Sequence, residues 1–284
     1  PFIPNPSMPA QQSIHEYYLQ QHRNIEYYLE QCAEKVEAEL VHELRLSIKR
    51  LRAFHKLAGP LCPEDADDQI HVKRRVRKLF RVAGQLRDTQ VQLHLLLTHE
   101  QLTGEQYPEF SKWLLKREKR RIAKFGNGPH LVWPPAKTEI THKQIGEWLA
   151  SAGDDGIKSV STGVLTGLVA RARRLAAGHL SDRNLHRVRT LTKQVRYILS
   201  IMHHSFPEYR FDQVQVESLR EIEAVAGYWH DTLVKLELLG KCMEKLHFED
   251  EQSRHRYEKF YNECKVALDA AYFEACRVVR SCLL

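Results

Sequence analysis

The chain has 284 residues, with 43 Lys and Arg against 36 Asp and Glu, a net charge of +7, 43% hydrophobic and 28% charged residues. This composition excludes a disordered polyelectrolyte, and the length allows one large domain or two halves. No apolar run of about 18 residues exists, which excludes a helical membrane span, and the cysteines at 32, 62, 242, 264, 276 and 282 form neither a CxxC pair nor a zinc spacing with histidine, so they read as reduced, mostly buried thiols of a cytoplasmic protein.

Proline places the breaks along the chain. Pro1–Ala10 holds four prolines and no basic n-region, and reads as an extended N-terminal arm, not a signal peptide. Beyond it, prolines fall only at 60, 63, 108, 129, 134, 135 and 207, and the stretches between them have helical periodicity. The pattern predicts helices over 11–36, 38–58, 66–101 and 105–125, then over 160–179, 183–204, 212–247 and 251–282. Asp182 is the expected N-cap of the helix starting at 183. Residues 126–158, rich in Gly, Pro and small polar residues, read as a connector with room for a short helix at 141–151. The fold class is therefore all-α, with a first helical repeat over about 11–125 and a second over about 159–284.

The second predicted helix carries His42, Arg45, Lys49 and Arg52, which recur 144 positions later as His186, Arg189, Lys193 and Arg196. At 3.6 residues per turn these four fall within roughly an 80° arc and form a basic rail about 15 Å long. Leu44, Ile48 and Leu51 lie off that arc and can pack the core. Like charges on one face repel by about a few tenths of a kcal/mol per pair, so such a rail implies compensation by acids or by a bound anion. Acids near it are few: Glu43 adjoins the first rail and none lies inside the second. Histidine adds a donor whose charge can rise among phosphates.

The third helix adds a second basic face. Seven cations and no acid lie between His71 and Arg87, and Arg74, Arg77, Lys78 and Arg81 share one side. Arg171 and Arg174 are the corresponding candidates in the second half. The run from Lys116 to Lys124 is scattered around a helix and reads as a solvated surface. The repeat continues here: Val82-Ala83-Gly84-Gln85-Leu86-Arg87-Asp88-Thr89 matches Val225-Ala226-Gly227-Tyr228-Trp229-His230-Asp231-Thr232 at an offset of 143, and Cys62-Pro63-Glu64 matches Phe206-Pro207-Glu208 at 144. Two similar four-helix units in a pseudo-twofold relation follow from it, with their rails facing a shared space. Asp88 and Asp231 are expected to orient an Arg or His by an ion pair or hydrogen bond; a metal or general-base role is the sharper alternative. His203-His204, at a helix end, read as surface residues. No GxxxxGK[ST] loop, GxSxG elbow, HExxH or paired-carboxylate motif occurs.

These blocks resemble the CHAD family, named for conserved histidines in an α-helical domain. His42 to Arg52 is similar to the family's HxxRxxxKRLR motif, Leu185 to Tyr197 to its LHxxRxxxKxxRY motif, and Arg87-Asp88 with Val91 to its RDxxV block. The resemblance covers roughly 11–284 and implies two four-helix units around a basic central groove that binds inorganic polyphosphate, with association with polyphosphate granules and no cofactor. No ExExK strand of the CYTH enzymes sometimes fused to the family is visible. Carried over by position, the phosphate ligands are His42, Arg45, Lys49, Arg50, Arg52, His186, Arg189, Lys193 and Arg196. The composition and geometry add Arg74, Arg77, Lys78, Arg81, Arg87, Arg171, Arg174 and Tyr197 as candidates. Gln194 and His230 depart from the family pattern, so the second half is expected to grip less tightly or to rely on Trp229 and Tyr197 for shape. The leading expectation is a non-catalytic polyphosphate-binding module. The alternatives are binding of RNA, DNA or other polyanions, and a metal-dependent phosphohydrolase using His42, His186, Asp88 and Asp231.

Overall fold

Among the described residues the proline-free stretches form eight α-helices, α1 (Ala10–Glu34), α2 (Ala38–Ala58), α3 (Asp67–Thr103), α4 (Pro108–Gly126), α5 (Thr138–Ala177), α6 (Asp182–Ser205), α7 (Val216–Met243) and α8 (Glu251–Leu283), with one 3-10 turn at Gly59–Leu61. The computed structural model describes residues 8–62, 67–126, 133, 138–248 and 250–284, without the side chains of 67–73 and 138–141. Most of the expected N-terminal arm, Pro63-Glu64 of the repeat and most of 127–137 lie outside the described residues. Among the described residues there is no strand, and no helix is long and apolar enough to cross a membrane.

Each helix packs on the next within α1–α4 and within α5–α8, as short connections between helices favour. The two sets join where α1 and α2 meet α5 and α6, and where α3 meets α7. The core runs through this junction. Leu44, Ile48, Leu51 and Phe54 of α2 are fully buried in it, as are Leu185, Val188, Ile198 and Ile201 of α6. Each such side chain contributes about 1.5–3 kcal/mol by leaving water. Burying one stripe of α2 and α6 in this way fixes which way their opposite, basic stripes point.

A second core closes the far ends of α3, α4, α7 and α8. Tyr107 stacks on Phe260 at 4.1 Å between ring centres. Tyr257 Oη donates to Glu109 Oε2 at 2.9 Å and accepts from the Phe110 N–H at 3.0 Å. This clamp holds α3 beside α7, where Gln92 Nε2 donates to the Asp231 carbonyl at 2.9 Å.

Three local expectations need correction. Ser181, not Asp182, caps α6, accepting from the Asn184 N–H at 3.4 Å; Asp182 is already the first helical residue, where its charge suits the helix N-terminus. Much of the segment read as connector is helical, because α5 starts at Thr138 and only breaks at Gly153 (φ 66°, ψ 175°). Its first part lies against α1: His15 Nε2 donates to the His142 carbonyl at 2.9 Å, and a Cβ at Gly146 would sit 2.9 Å from the His15 ring. Finally, His204 is half-buried against Tyr17, at 6.1 Å between ring centres, while His203 is exposed. Cys32, Cys242, Cys264 and Cys276 are buried thiols.

Candidate anion-binding site

Both rails converge where α2, α3, α6 and α7 meet. Arg45 and Lys49 come from α2, and Arg189 and Lys193 from α6; all four are half-buried. Burial pushes Lys49 down to about 7, helped by the neighbouring charges of Lys193, Arg45 and Arg189. Lys193 falls to about 8, first by burial and then by Arg189. These mutual effects cross between the two helices, so the four cations form one cluster. Arg189 Nε is buried within it and has no hydrogen-bond partner, an unsatisfied donor of the kind a folded protein rarely keeps unless a ligand completes it.

The first rail is held by α3. Arg45 Nη1 donates to the Phe80 carbonyl at 3.2 Å, and its guanidinium lies 4.6 Å from the centre of the Phe80 ring. Arg52 lies over the same ring at 4.8 Å. Phe80 thus supports two arginines through cation–π attraction without neutralising either. Gly84, one turn on, makes room for this: a Cβ there would lie 2.3 Å from Arg45 Nη1. Arg87 reaches the start of α2, donating to the Ala38 carbonyl at 3.2 Å, and its charge adds to burial in lowering the pKa of His42.

The second rail is held by α7, and differently. Arg196 forms a two-pronged ion pair with Glu223, Nε to Oε1 at 2.7 Å and Nη2 to Oε2 at 3.0 Å. Its guanidinium also covers the ring of Tyr197, which is buried. No acid lies within the second rail itself, but α7 supplies one to it, so Arg196 is not an uncommitted cation. The acid that pairs it lies 27 residues away on another helix, outside the reach of local pattern. His230, the residue in place of Arg87, meets His186 at 5.4 Å between ring centres. Burial, then Arg189 and His186, push His230 down to about 4.

Asp88 and Asp231 sit inside the cluster, yet among the described residues neither carboxylate closes the expected ion pair or hydrogen bond. Burial raises the pKa of both. Arg45, Arg189 and Lys49 act against that rise at Asp88, and Arg189 acts against it at Asp231, which also feels Asp88. They are buried counter-charges shared by both rails. Among the described residues no group of three or more His, Cys, Asp and Glu is arranged to hold a metal ion.

The remaining candidates divide. Arg52, Arg77 and Arg171 line one cleft, described below. Arg50 points off the rail, towards Tyr17, Tyr28 and Tyr197, whose hydroxyl pKa values burial raises against the smaller opposing effect of its charge. Arg74, Lys78 and Arg81 on α3 and Arg174 on α5 are exposed, and no hydrogen bond or ion pair among the described residues ties them to the cluster. Two residues assigned to a solvated run come closer. Arg121 Nη1 donates to Gln85 Oε1 at 2.5 Å, and Arg117 acts on Asp88. Sequence reasoning passed over Phe80 and Glu223, although extending the 143-residue repeat a few residues upstream pairs them with each other.

The sequence matches the CHAD domain family over residues 16–240. Among solved structures, the CHAD domain from the plant Ricinus communis is similar with a TM-score of 0.65 at 17% identity, covering 96% of this chain and 94% of that one. PptA from Streptomyces chartreusis is similar with a TM-score of 0.63 at 14% identity, covering 95% of this chain and 99% of its own. At such identities the likeness speaks for the fold. No curated protein matches the sequence.

Proposed function

The chain belongs to the CHAD family, and from that premise we propose that it holds inorganic polyphosphate, without cleaving it, in a groove between the two rails. The observation that carries this reading is the convergence of Arg45, Lys49, Arg189 and Lys193 from two helices into one half-buried cluster whose members depress each other's basicity. Such a cluster is under-neutralised by Asp88 and Asp231 and is relieved by a multiply charged anion. Polyphosphate supplies one negative charge per internal phosphoryl group and acceptor oxygens on all sides. Arginine answers with forked donation and lysine with a compact charge. Nothing in this arrangement reads a base, so the groove selects charge density over sequence. We further propose that the two halves are copies of one unit, and that binding directs the protein to polyphosphate granules.

The double variant Arg45→Ala/Arg189→Ala tests this reading. Retention on immobilised polyphosphate should be lost while far-ultraviolet circular dichroism stays unchanged. Wild-type retention in that variant removes the rails from the site. Competition separates polyphosphate from nucleic acid: long-chain polyphosphate should displace RNA at a far lower phosphate concentration, and the reverse order favours the nucleic-acid reading. Affinity should drop steeply with salt, since each neutralised phosphate releases counterions, as it does for nucleic acids.

A further inference from the structure

Beyond the rails, a cleft of about 640 Å³ opens where the end of α2 and the 3-10 turn face α3, α5 and α6. Its cations are Arg52, Lys56, Arg77 and Arg171, and among the described residues no carboxylate lines it. Arg52 is the last residue of the first rail, so the cleft continues that rail. Its wall on α5 is bare: Gly163 and Gly167 lie four residues apart, and a Cβ on either would meet nothing within 4 Å. With Arg171 they make one stripe of α5 that opens the cleft and ends in a charge. Volume and mixed polar and apolar lining are those of a ligand site.

The matching cation of the second rail is committed instead. Arg196 is bound by Glu223 and laid over buried Tyr197. Gln194, the residue that departs from the family's pattern of cations, faces into the open cleft on the first-rail side. Among the described residues, the Arg52 end is thus cationic and hollow, whereas Arg196 is paired.

We infer that this cleft is a second phosphate-binding subsite, adjoining Arg52, that takes the continuation of a polyphosphate chain already held between the rails. The inference rests on the polyphosphate reading given above. It assigns Arg77, Arg171 and Lys56 to phosphoryl groups beyond those held by Arg45 and Arg189. It also makes chain length a determinant of affinity, because a short chain fills the rails and leaves the cleft empty.

The test compares tripolyphosphate with a long-chain polyphosphate by titration calorimetry on the full chain. Gly163→Leu fills the cleft without changing charge, and leucine at an exposed helical glycine favours the helix, so folding is retained; circular dichroism checks it. Arg77→Ala/Arg171→Ala removes the charges, and Lys112→Ala/Lys116→Ala on exposed α4 removes the same charge elsewhere. The first two should lower long-chain affinity about tenfold, the loss expected of one charge-assisted hydrogen bond or more, with tripolyphosphate affinity unchanged. The α4 variant should lose much less. Wild-type long-chain affinity in Gly163→Leu, or an equal loss for both chain lengths, overturns the subsite. If that happens while Arg45→Ala/Arg189→Ala still abolishes binding, the rail reading stands alone. If the rail variant binds normally and the cleft variants do not, the cleft stands and the rails fall.

Discussion

The two halves carry the same four cations at the same spacing, yet the helix behind each rail treats them in opposite ways. Behind the first rail stands Phe80, which supports Arg45 and Arg52 at 4.6 and 4.8 Å and leaves both charges uncompensated. At the matched position behind the second stands Glu223, which takes Arg196 out of play at 2.7 Å. A motif counted from sequence gives each half equal standing. The packing leaves Arg52 open and charged at the first rail and anchors its counterpart Arg196 at the second. Charge available to a ligand is set by the residue facing the motif as much as by the motif.

Exchanging the facing residues is the strongest way to break this contrast. Phe80→Glu brings a carboxylate against Arg45 and Arg52, and polyphosphate affinity should drop about tenfold or more, since two charge-assisted contacts are weakened. Glu223→Gln should do the reverse and raise affinity a few-fold by releasing Arg196. The same change should lower stability by about 1 kcal/mol, a modest figure because the pair is part-exposed and screened. Fluorescence polarisation with labelled polyphosphate and urea unfolding measure the two effects. Equal responses to both substitutions would erase the distinction between the halves.

The lysines sharpen it along the pH axis. Lys49 sits at about 7 and Lys193 at about 8 in the free protein, whereas an unfolded chain holds its lysines near 10.4. A bound polyanion favours the protonated form, so binding takes up protons. Affinity should be greatest below pH 7 and fall as pH rises through 7 to 9, the first-rail lysine losing its charge before its partner. Stability of the free protein must move the other way. Between pH 7 and about 10.4 the unfolded state binds more protons than the native state, so stability rises with pH across that window. Calorimetry in buffers of different ionisation enthalpy reads the proton uptake directly. An affinity flat from pH 6 to 9 would mean that neither lysine contacts the anion. The buried histidines add an acid limb: burial takes His142 and His230 down to about 4, so the stability they confer is whole above about 6.5 and is lost as pH falls towards 4.

The all-helical fold and the helix positions were legible in the sequence because each rests on local period. Proline spacing bounds the helices, and the 3.6-residue repeat separates Leu44, Ile48 and Leu51 from the basic stripe. What was not legible depends on which helix faces which. Glu223 pairing with Arg196, His230 against His186, and Arg121 reaching Gln85 join residues on different helices. The scattered α4 cations read as solvated because Lys116, Lys119, Arg120 and Lys124 are exposed; only packing against α3 separates Arg117 and Arg121 from them. The glycines at 163 and 167 carried a readable signal, four residues apart inside a helix, where glycine costs about 1 kcal/mol relative to alanine. That signal marks a position to inspect, but only the tertiary arrangement shows an open cleft beside it.

The smallest expected effect concerns the matched glycines, and it isolates the first rail most cleanly. Gly84 and Gly227 occupy the same place in the repeated Val-Ala-Gly block. A Cβ at 84 would collide with Arg45 Nη1, while one at 227 would meet nothing within 4 Å. Both helices gain up to about 1 kcal/mol of propensity from alanine. Gly227→Ala should therefore stabilise the protein by about that amount and leave binding unaltered. In Gly84→Ala the guanidinium must swing away, losing its bond to the Phe80 carbonyl and its position over the ring, so affinity should weaken a few-fold even though the helix itself is favoured. The two variants add the same methyl group to the same motif, and generic helix stabilisation predicts the same outcome for both. A binding loss confined to position 84 identifies the seat of Arg45 as the cause, and equal behaviour of the pair would show that the close approach of α2 to α3 at Gly84 has no part in holding the anion.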